Sequence, residues 1–309
     1  MSDTEKKFHP VPGHRQRPLV MQLALASGAM AQSSLSQSED FGNDFWLKGA
    51  GRQAQASMGK VVEGLKKYQL HPYERKPLSR SVMWSDGQAR FVWYAAQLKK
   101  NQKKAKAGIV IIPSLINSVD ILDILPEERS FIRWLTGQGL DVFLLEWNDL
   151  REDPELETLD GLLGMKLPRM LKRLKTEYTD APLFGLGYCM GGLFLAASEV
   201  LCPTVFKGLV FVATPWDFTA SARGNFAESI IGWAKEGLSR VVHLDFMPAE
   251  WLQMIFAGVD PSIVARKFTA FADMKPDSLD ARLFVAVEDW VKGGGDLPAG
   301  IVQQTVRDW

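Results

Sequence analysis

The chain has 309 residues, 46% of them hydrophobic, enough to bury a large core in one α/β domain with an insertion or in two smaller units. Its 36 basic residues balance 36 acidic ones, which excludes a polyanion-binding field and with it nucleic acid as a partner. The two cysteines, Cys189 and Cys202, flank one predicted helix. At 1.5 Å per residue they lie about 20 Å apart, beyond disulfide reach. No run approaches the ~20 apolar residues that span a bilayer, so a soluble, cytoplasmic protein is expected.

Residues 1–80 read as a helical N-terminal arm behind a polar leader. Leu19 to Ala31 is uncharged, follows His14 to Arg17 and ends Ala29-Met30-Ala31, which mimics a signal-peptide cleavage site. Its polar head is long, however, and Gln22, Ser27 and Gly28 dilute it, so a first helix lying on the core or on an apolar surface is the preferred reading. Further on, Phe45, Leu47, Val61, Val62, Leu65 and Tyr68 recur at helical intervals.

The pattern changes at Ser81. Ser81 to Trp84, the turn signal Asp86-Gly87 and the β-forming run Ala89 to Leu98 predict an antiparallel pair. The basic segment Lys99 to Lys106 is read as a solvated loop. Gly108 to Ile112 is a continuous β-branched run, as expected of a parallel strand covered on both faces, and ends in the irregular turn Pro113-Ser114-Leu115-Ile116-Asn117. A helix from Ser130, a buried strand Asp141 to Glu146 and a long helix from about Leu159 to Tyr178 follow.

Leu183 to Gly187 is a short apolar run; then comes Gly187-Tyr188-Cys189-Met190-Gly191, and an uncharged helical run to Leu201. Strand, sharp turn, helix is the setting in which an α/β-hydrolase presents its nucleophile, because a strained turn needs slim neighbours. The start of the helix favours thiolate over thiol. Cys189 is therefore the candidate nucleophile, set against the plain reading of a small buried hydrophobe. A strand Gly208 to Ala213 closes the α/β pattern, giving an expected core over 81–216 with a mostly parallel sheet. Residues 217–309 carry helical spacing throughout and read as an all-helical lid. Within it Asp289 is assigned to a helix surface.

The cysteine elbow combined with the Ile116-Asn117 turn, Ile121-Leu122-Asp123, Ser130 to Leu135 with Gly139, and Phe143 to Asn148 resembles the poly(3-hydroxyalkanoate) synthases over roughly Trp84 to Asp217. The resemblance implies an α/β-hydrolase-type fold and an acyltransferase. A 3-hydroxyacyl group passes from coenzyme A to Cys189, and a second unit's hydroxyl then extends a polyester. It implies no cofactor beyond that substrate. Expected partners are the acyl-coenzyme A, the polyester chain and its granule surface, or a second copy of the chain. The backbone N–H groups of Met190 and Leu115 are the expected oxyanion donors. Where the family commonly has Trp, this chain has Leu115, which leaves a main-chain donor intact. Asn117 is open to two readings, a substrate contact or a residue that satisfies its own turn. Asp217 is assigned a structural role.

The base and acid are not found in the sequence. Of His9, His14, His71 and His243, only His243 follows Cys189, and it sits in the lid region before any further predicted strand. Two accounts stay open, a piece of a longer synthase-like protein or a whole chain without the dyad; either predicts slow turnover. A thioesterase or polyester hydrolase using the same elbow, and a non-catalytic granule-binding protein, are the alternatives.

Overall fold

The computed structural model describes residues 49–76, 78–216, 245–253 and 262–308. These group into two compact units, one of the described residues up to Glu74 with those in Phe256–Lys292, the other of those in Arg75–Ile255 with Gly293–Trp309. The expected helix of Leu19 to Ala31 and the predicted helix of Phe226 to Leu238 lie outside the described residues.

In the smaller unit α1 (Gly49–Gln69) is the helix predicted for the arm. Val61, Leu65 and Tyr68 on one of its faces are buried with Val264, Phe268, Ala281 and Val285, which belong to two helices late in the chain. Gly64 permits this approach, since a Cβ there would strike the backbone of Phe268. Lys67 donates to the carbonyls of Phe271, Ala272 and Met274, placing a cation where exposed carbonyls end a helix.

The larger unit is built on six strands: β1 (Ser81–Asp86), β2 (Ala89–Tyr94), β3 (Gly108–Ile112), β4 (Asp141–Glu146), β5 (Leu183–Tyr188) and β6 (Leu209–Val212). Their spatial order is β1-β2-β4-β3-β5-β6. The β1–β2 and β2–β4 pairs are antiparallel, the rest parallel. Side-chain alternation explains the layering. Val110, Ile112, Phe143 and Leu145 face one way, onto Leu167, Met170, Leu171 and Leu174 of α3 (Leu167–Glu177) and Phe194 and Leu195 of α4 (Met190–Leu201). Ile111, Val142, Leu144 and Leu186 face the other way, onto Ile132 and Leu135 of α2 (Phe131–Gly137). Each such buried side chain contributes about 1.5–3 kcal/mol. From β3 the chain goes to β4 on one side and then returns through β5 to the other. That reversal creates a switch point at the carboxyl ends of β3 and β5, where open α/β sheets bind ligands.

Three sequence expectations are corrected. The helix predicted from Leu159 opens with wide π-helical turns at Asp160–Lys166 before α3 begins. At its end Lys166 is buried, and its ammonium meets Asp153, Glu155 and the Asp86 carbonyl and fastens the β1–β2 turn. The late segment is not all helical either. Alongside α5 (Ile263–Asp273), α6 (Leu279–Lys292) and α7 (Ala299–Asp308), Phe246–Met247 and Leu297–Pro298 pair as short antiparallel strands β7 and β8. Two-residue strands carry no readable alternation. Asp289 is not a plain surface residue but half-buried, accepting a hydrogen bond from the Tyr68 hydroxyl at 2.7 Å.

Candidate active site

Cys189 stands between the end of β5 and the first residue of α4, with φ 53° and ψ −131°. A side-chain-bearing residue adopts such angles at a cost of about 1–3 kcal/mol and needs surroundings that enforce them. Those surroundings are backbone. The Cys189 N–H donates to Val212 of β6 at 2.9 Å, and its carbonyl accepts from Gly192 at 2.9 Å. A Cβ at Gly187 would run into Gly192, one at Gly191 into the carbonyls of Ile112 and Pro113, and one at Gly192 into the Thr214 side chain. The sequence motif thus has a steric cause at each glycine.

The contact at Gly191 joins the elbow to the turn after β3. In register, Ile112 pairs with Gly187, so the two strands run out side by side into that turn and that elbow. Leu115 has its side chain buried in the core. Around it the turn is pinned by Trp147, whose indole N–H donates to Pro113 at 3.4 Å, and by the Ser114 hydroxyl, which accepts from Ile116 at 3.3 Å. A third pin comes from the run Gly293-Gly294-Gly295, where the Gly295 N–H donates to the Ile116 carbonyl at 3.2 Å. Gly294 lies beside the same carbonyl, and the Asn117 carboxamide faces it. The sequence reading missed this strap. The triple glycine was its visible signal, but nothing local to it says where it docks.

Met190, as the first residue of α4, has an N–H with no carbonyl a turn back to receive it. The structure therefore places Cys189, Met190, Leu115 and Asn117 on two adjoining loops at one end of the sheet. Tyr188, just before the cysteine, is half-buried, and burial raises its hydroxyl pKa. Cys202 is the contrasting thiol. It is buried, donates to the Ser198 carbonyl and has its pKa raised by burial, whereas Cys189 is partly exposed.

His71 is the only histidine among the described residues, and it lies in the helical unit. Its Nε2 is 2.9 Å from the Pro276 carbonyl, and its Nδ1 accepts from the Tyr73 N–H. Asp217 and His243 lie outside the described residues. Among the described residues no three metal-ligating side chains converge, and no helix is long and apolar enough to cross a membrane.

A mostly parallel sheet whose switch point carries a strained strand-to-helix turn is an α/β-hydrolase-type scaffold, and in this chain that turn holds a cysteine. Comparison with known proteins adds a more particular likeness. The chain is similar to the poly(3-hydroxyalkanoate) polymerase subunit PhaC of Allochromatium vinosum, 25% identical over 205 residues, or 65% of this chain and 56% of the relative. It is likewise similar to the subunit of that name from Haloferax mediterranei, 27% identical over 234 residues covering 74% of this chain and 45% of the relative. The chain spans about half the length of the curated relatives it matches. No family model matches it. Among solved structures, a soluble variant of the monoglyceride lipase from Saccharomyces cerevisiae aligns at 13% identity with a TM-score of 0.38, covering 66% of this chain and 71% of the lipase.

Proposed function

We propose that this chain carries the acyl-accepting half of a polyester-forming acyltransferase. Cys189 takes a 3-hydroxyacyl group from coenzyme A. The thiolate sulfur adds to the thioester carbonyl, the Met190 and Leu115 N–H groups hold the resulting oxyanion, and the carbon–sulfur bond to coenzyme A breaks. Coenzyme A leaves as a thiolate that takes up a proton. In the second step the hydroxyl of another 3-hydroxyacyl unit attacks the new thioester, an ester bond forms as the Cys189 carbon–sulfur bond breaks, and the hydroxyl proton passes to the departing Cys189 thiolate. Preorganised donors aimed at a developing oxyanion are the largest single contribution in such reactions, and the thiolate is the intrinsically strong nucleophile.

The observation that carries the reading is the left-handed backbone of Cys189 at the sheet's switch point. Structure stores strain of this kind chiefly where a side chain must be presented. The likeness to PhaC subunits supports the substrate class. The granule surface as a location and a second copy as a partner belong to the same proposal.

The test is incubation with 3-hydroxybutyryl-coenzyme A followed by intact-mass analysis, free-thiol assay and extraction of polymer. A hydroxybutyryl adduct that disappears in Cys189→Ala, with coenzyme A released, is the expected result. Release of free 3-hydroxybutyrate without polymer would assign the elbow to a thioesterase. No adduct on a thiol that iodoacetamide still alkylates would remove the acyl-transfer reading.

A further inference from the structure

We propose that the Gly293-Gly294-Gly295 strap is a positioning element for the oxyanion turn: its hold on the Ile116 carbonyl keeps Leu115 where its N–H can serve acyl transfer. This rests on the acyl-transfer reading above.

Three hydrogen bonds of the turn bear on Leu115. Two act before and across Leu115, from the buried Trp147 to Pro113 and from Ile116 to the Ser114 hydroxyl. Both are made by residues of the core. The third, from Gly295 to Ile116, fixes the far side of Leu115 and comes from a segment distant in sequence. It is the contact that ties the residue after Leu115 to a segment more than 170 residues further along the chain. The strap is itself held. Asp296, the next residue, accepts from the Ala249 N–H at 3.0 Å with one carboxylate oxygen and pairs with Arg151 at 3.0 Å through the other. Leu297 and Pro298 then pair in β8 with β7. The anchor therefore sits one residue from the hydrogen bond it steadies.

The glycines are not equivalent, which makes the inference testable. A Cβ at Gly294 would stand 2.9 Å from the Ile116 carbonyl oxygen, closer than side chains tolerate, so a residue there must push strap and turn apart. At Gly295 nothing lies within 4 Å of the added carbon. Gly295→Ala thus keeps the N–H and fits, while Gly295→Pro deletes the donor.

Two chemistries on the same sulfur separate positioning from simple damage. Alkylation of Cys189 by iodoacetamide forms no oxyanion and needs no donor, whereas acylation does. The experiment measures both rates in the full chain and in Gly294→Ala, Gly295→Pro and Gly295→Ala, with p-nitrophenyl acetate and 3-hydroxybutyryl-coenzyme A as acyl donors and thermal melting as the check on folding. Gly294→Ala and Gly295→Pro should acylate about 10- to 100-fold more slowly with alkylation unchanged, less than the ~100- to 1,000-fold cost of deleting an oxyanion donor because the donor is displaced rather than removed. Gly295→Ala should match the parent in both.

Equal acylation in all four proteins would overturn the proposal. So would a parallel fall in acylation and alkylation, which would mean that the strap acts on access or folding. If the parent acylates with the nitrophenyl ester but not with the coenzyme A ester, the function above fails while the strap is still decided. If it acylates with neither, both fall.

Discussion

Cys189 donates its backbone N–H to the carbonyl of Val212 at 2.9 Å, so the most strained residue of the elbow is tied through its donor to β6 while its carbonyl is tied to α4. The strain belongs to the backbone and not to the sulfur. Cys189→Gly should therefore melt higher than Cys189→Ala, by the equivalent of about 1–2 kcal/mol, because glycine adopts these angles freely. Both variants lose acylation. Equal melting temperatures would mean that the backbone relaxes when the side chain is shortened.

Gly191→Ala should be the more damaging change at the elbow. The added methyl meets two carbonyl oxygens of the turn after β3, neither of which is the flexible end of a side chain. A loss of roughly 1–3 kcal/mol in chemical denaturation is expected, as for other overpacked sites. Slower alkylation of Cys189 should accompany it, since elbow and turn move together. Gly59→Ala, in the middle of α1 with nothing within 4 Å of the added carbon, is the contrast and should stabilise by about 0.5–1 kcal/mol.

The parts of the fold legible in the sequence were those where one physical cause acts locally. The continuous apolar runs Gly108 to Ile112 and Asp141 to Glu146 are buried strands because both faces are covered, and their sequences say so. The turn signal at Asp86-Gly87 does mark a hairpin, though its two loop residues are Gly87, at φ 58°, and Gln88, with Asp86 still paired to Ala89. The elbow was visible because three glycines and a cysteine in sequence meet a single steric demand. What stayed hidden depended on partners far along the chain. The inward turn at Lys166 needs the carboxylates of Asp153 and Glu155 beside it, and the late helices give no sign that they pack on α1. The strap on Ile116 is a backbone contact, so its three glycines mark the segment without saying where it docks.

Lys166 should be the most costly single cation to remove. Its side chain is 2% exposed, and it pairs with Asp153, itself 5% exposed, at 2.5 Å. Asp153 also accepts from the Gln88 N–H at 2.9 Å, so the pair supports the hairpin. Lys166→Met leaves that carboxylate buried without its cation, and a loss of about 3–5 kcal/mol is expected. Lys166→Met combined with Asp153→Leu should recover part of it. If the double variant is no more stable than the single one, burial of the unpaired charge is not the cause.

The same cluster sets an acid limit. Hydrogen bonds from Arg169 hold the carboxyls of both Asp86 and Glu155 below their ordinary range, each opposed by burial. A depressed carboxyl contributes stability that is fully present above its unfolded pKa, about 4, and is lost as pH falls through the folded value. Lys166 and Arg169 are both raised, so their contribution persists at neutral pH and is lost only in strong alkali. Melting temperature should therefore be flat through neutrality and fall below about pH 4. In Arg169→Gln the acid limb should be shallower. An unchanged slope would assign the acid sensitivity to other carboxyls.

Among the described residues the two outer strands of the sheet differ in a way that predicts association. β1 carries Ser81, Ser85 and Asp86 along its length, residues that blunt an edge. β6 reads Leu-Val-Phe-Val, pairs with β5 alone among the described residues, and leaves Val210 50% and Phe211 48% exposed. Val210 and Phe211 point to opposite faces, so both faces of the strand are exposed, and among the described residues its outer edge has no strand beside it. Such a strand is a template for another. Mass measured by light scattering should rise with concentration in the parent chain, and Phe211→Lys should suppress the rise, because two lysines brought together across a new strand pair repel. The β5–β6 pairing is backbone and is kept, so Cys189 should alkylate at the parent rate in this variant. A concentration-independent monomer in the parent would show that the edge is already satisfied, and an unchanged rise in Phe211→Lys would place the contact elsewhere on the surface.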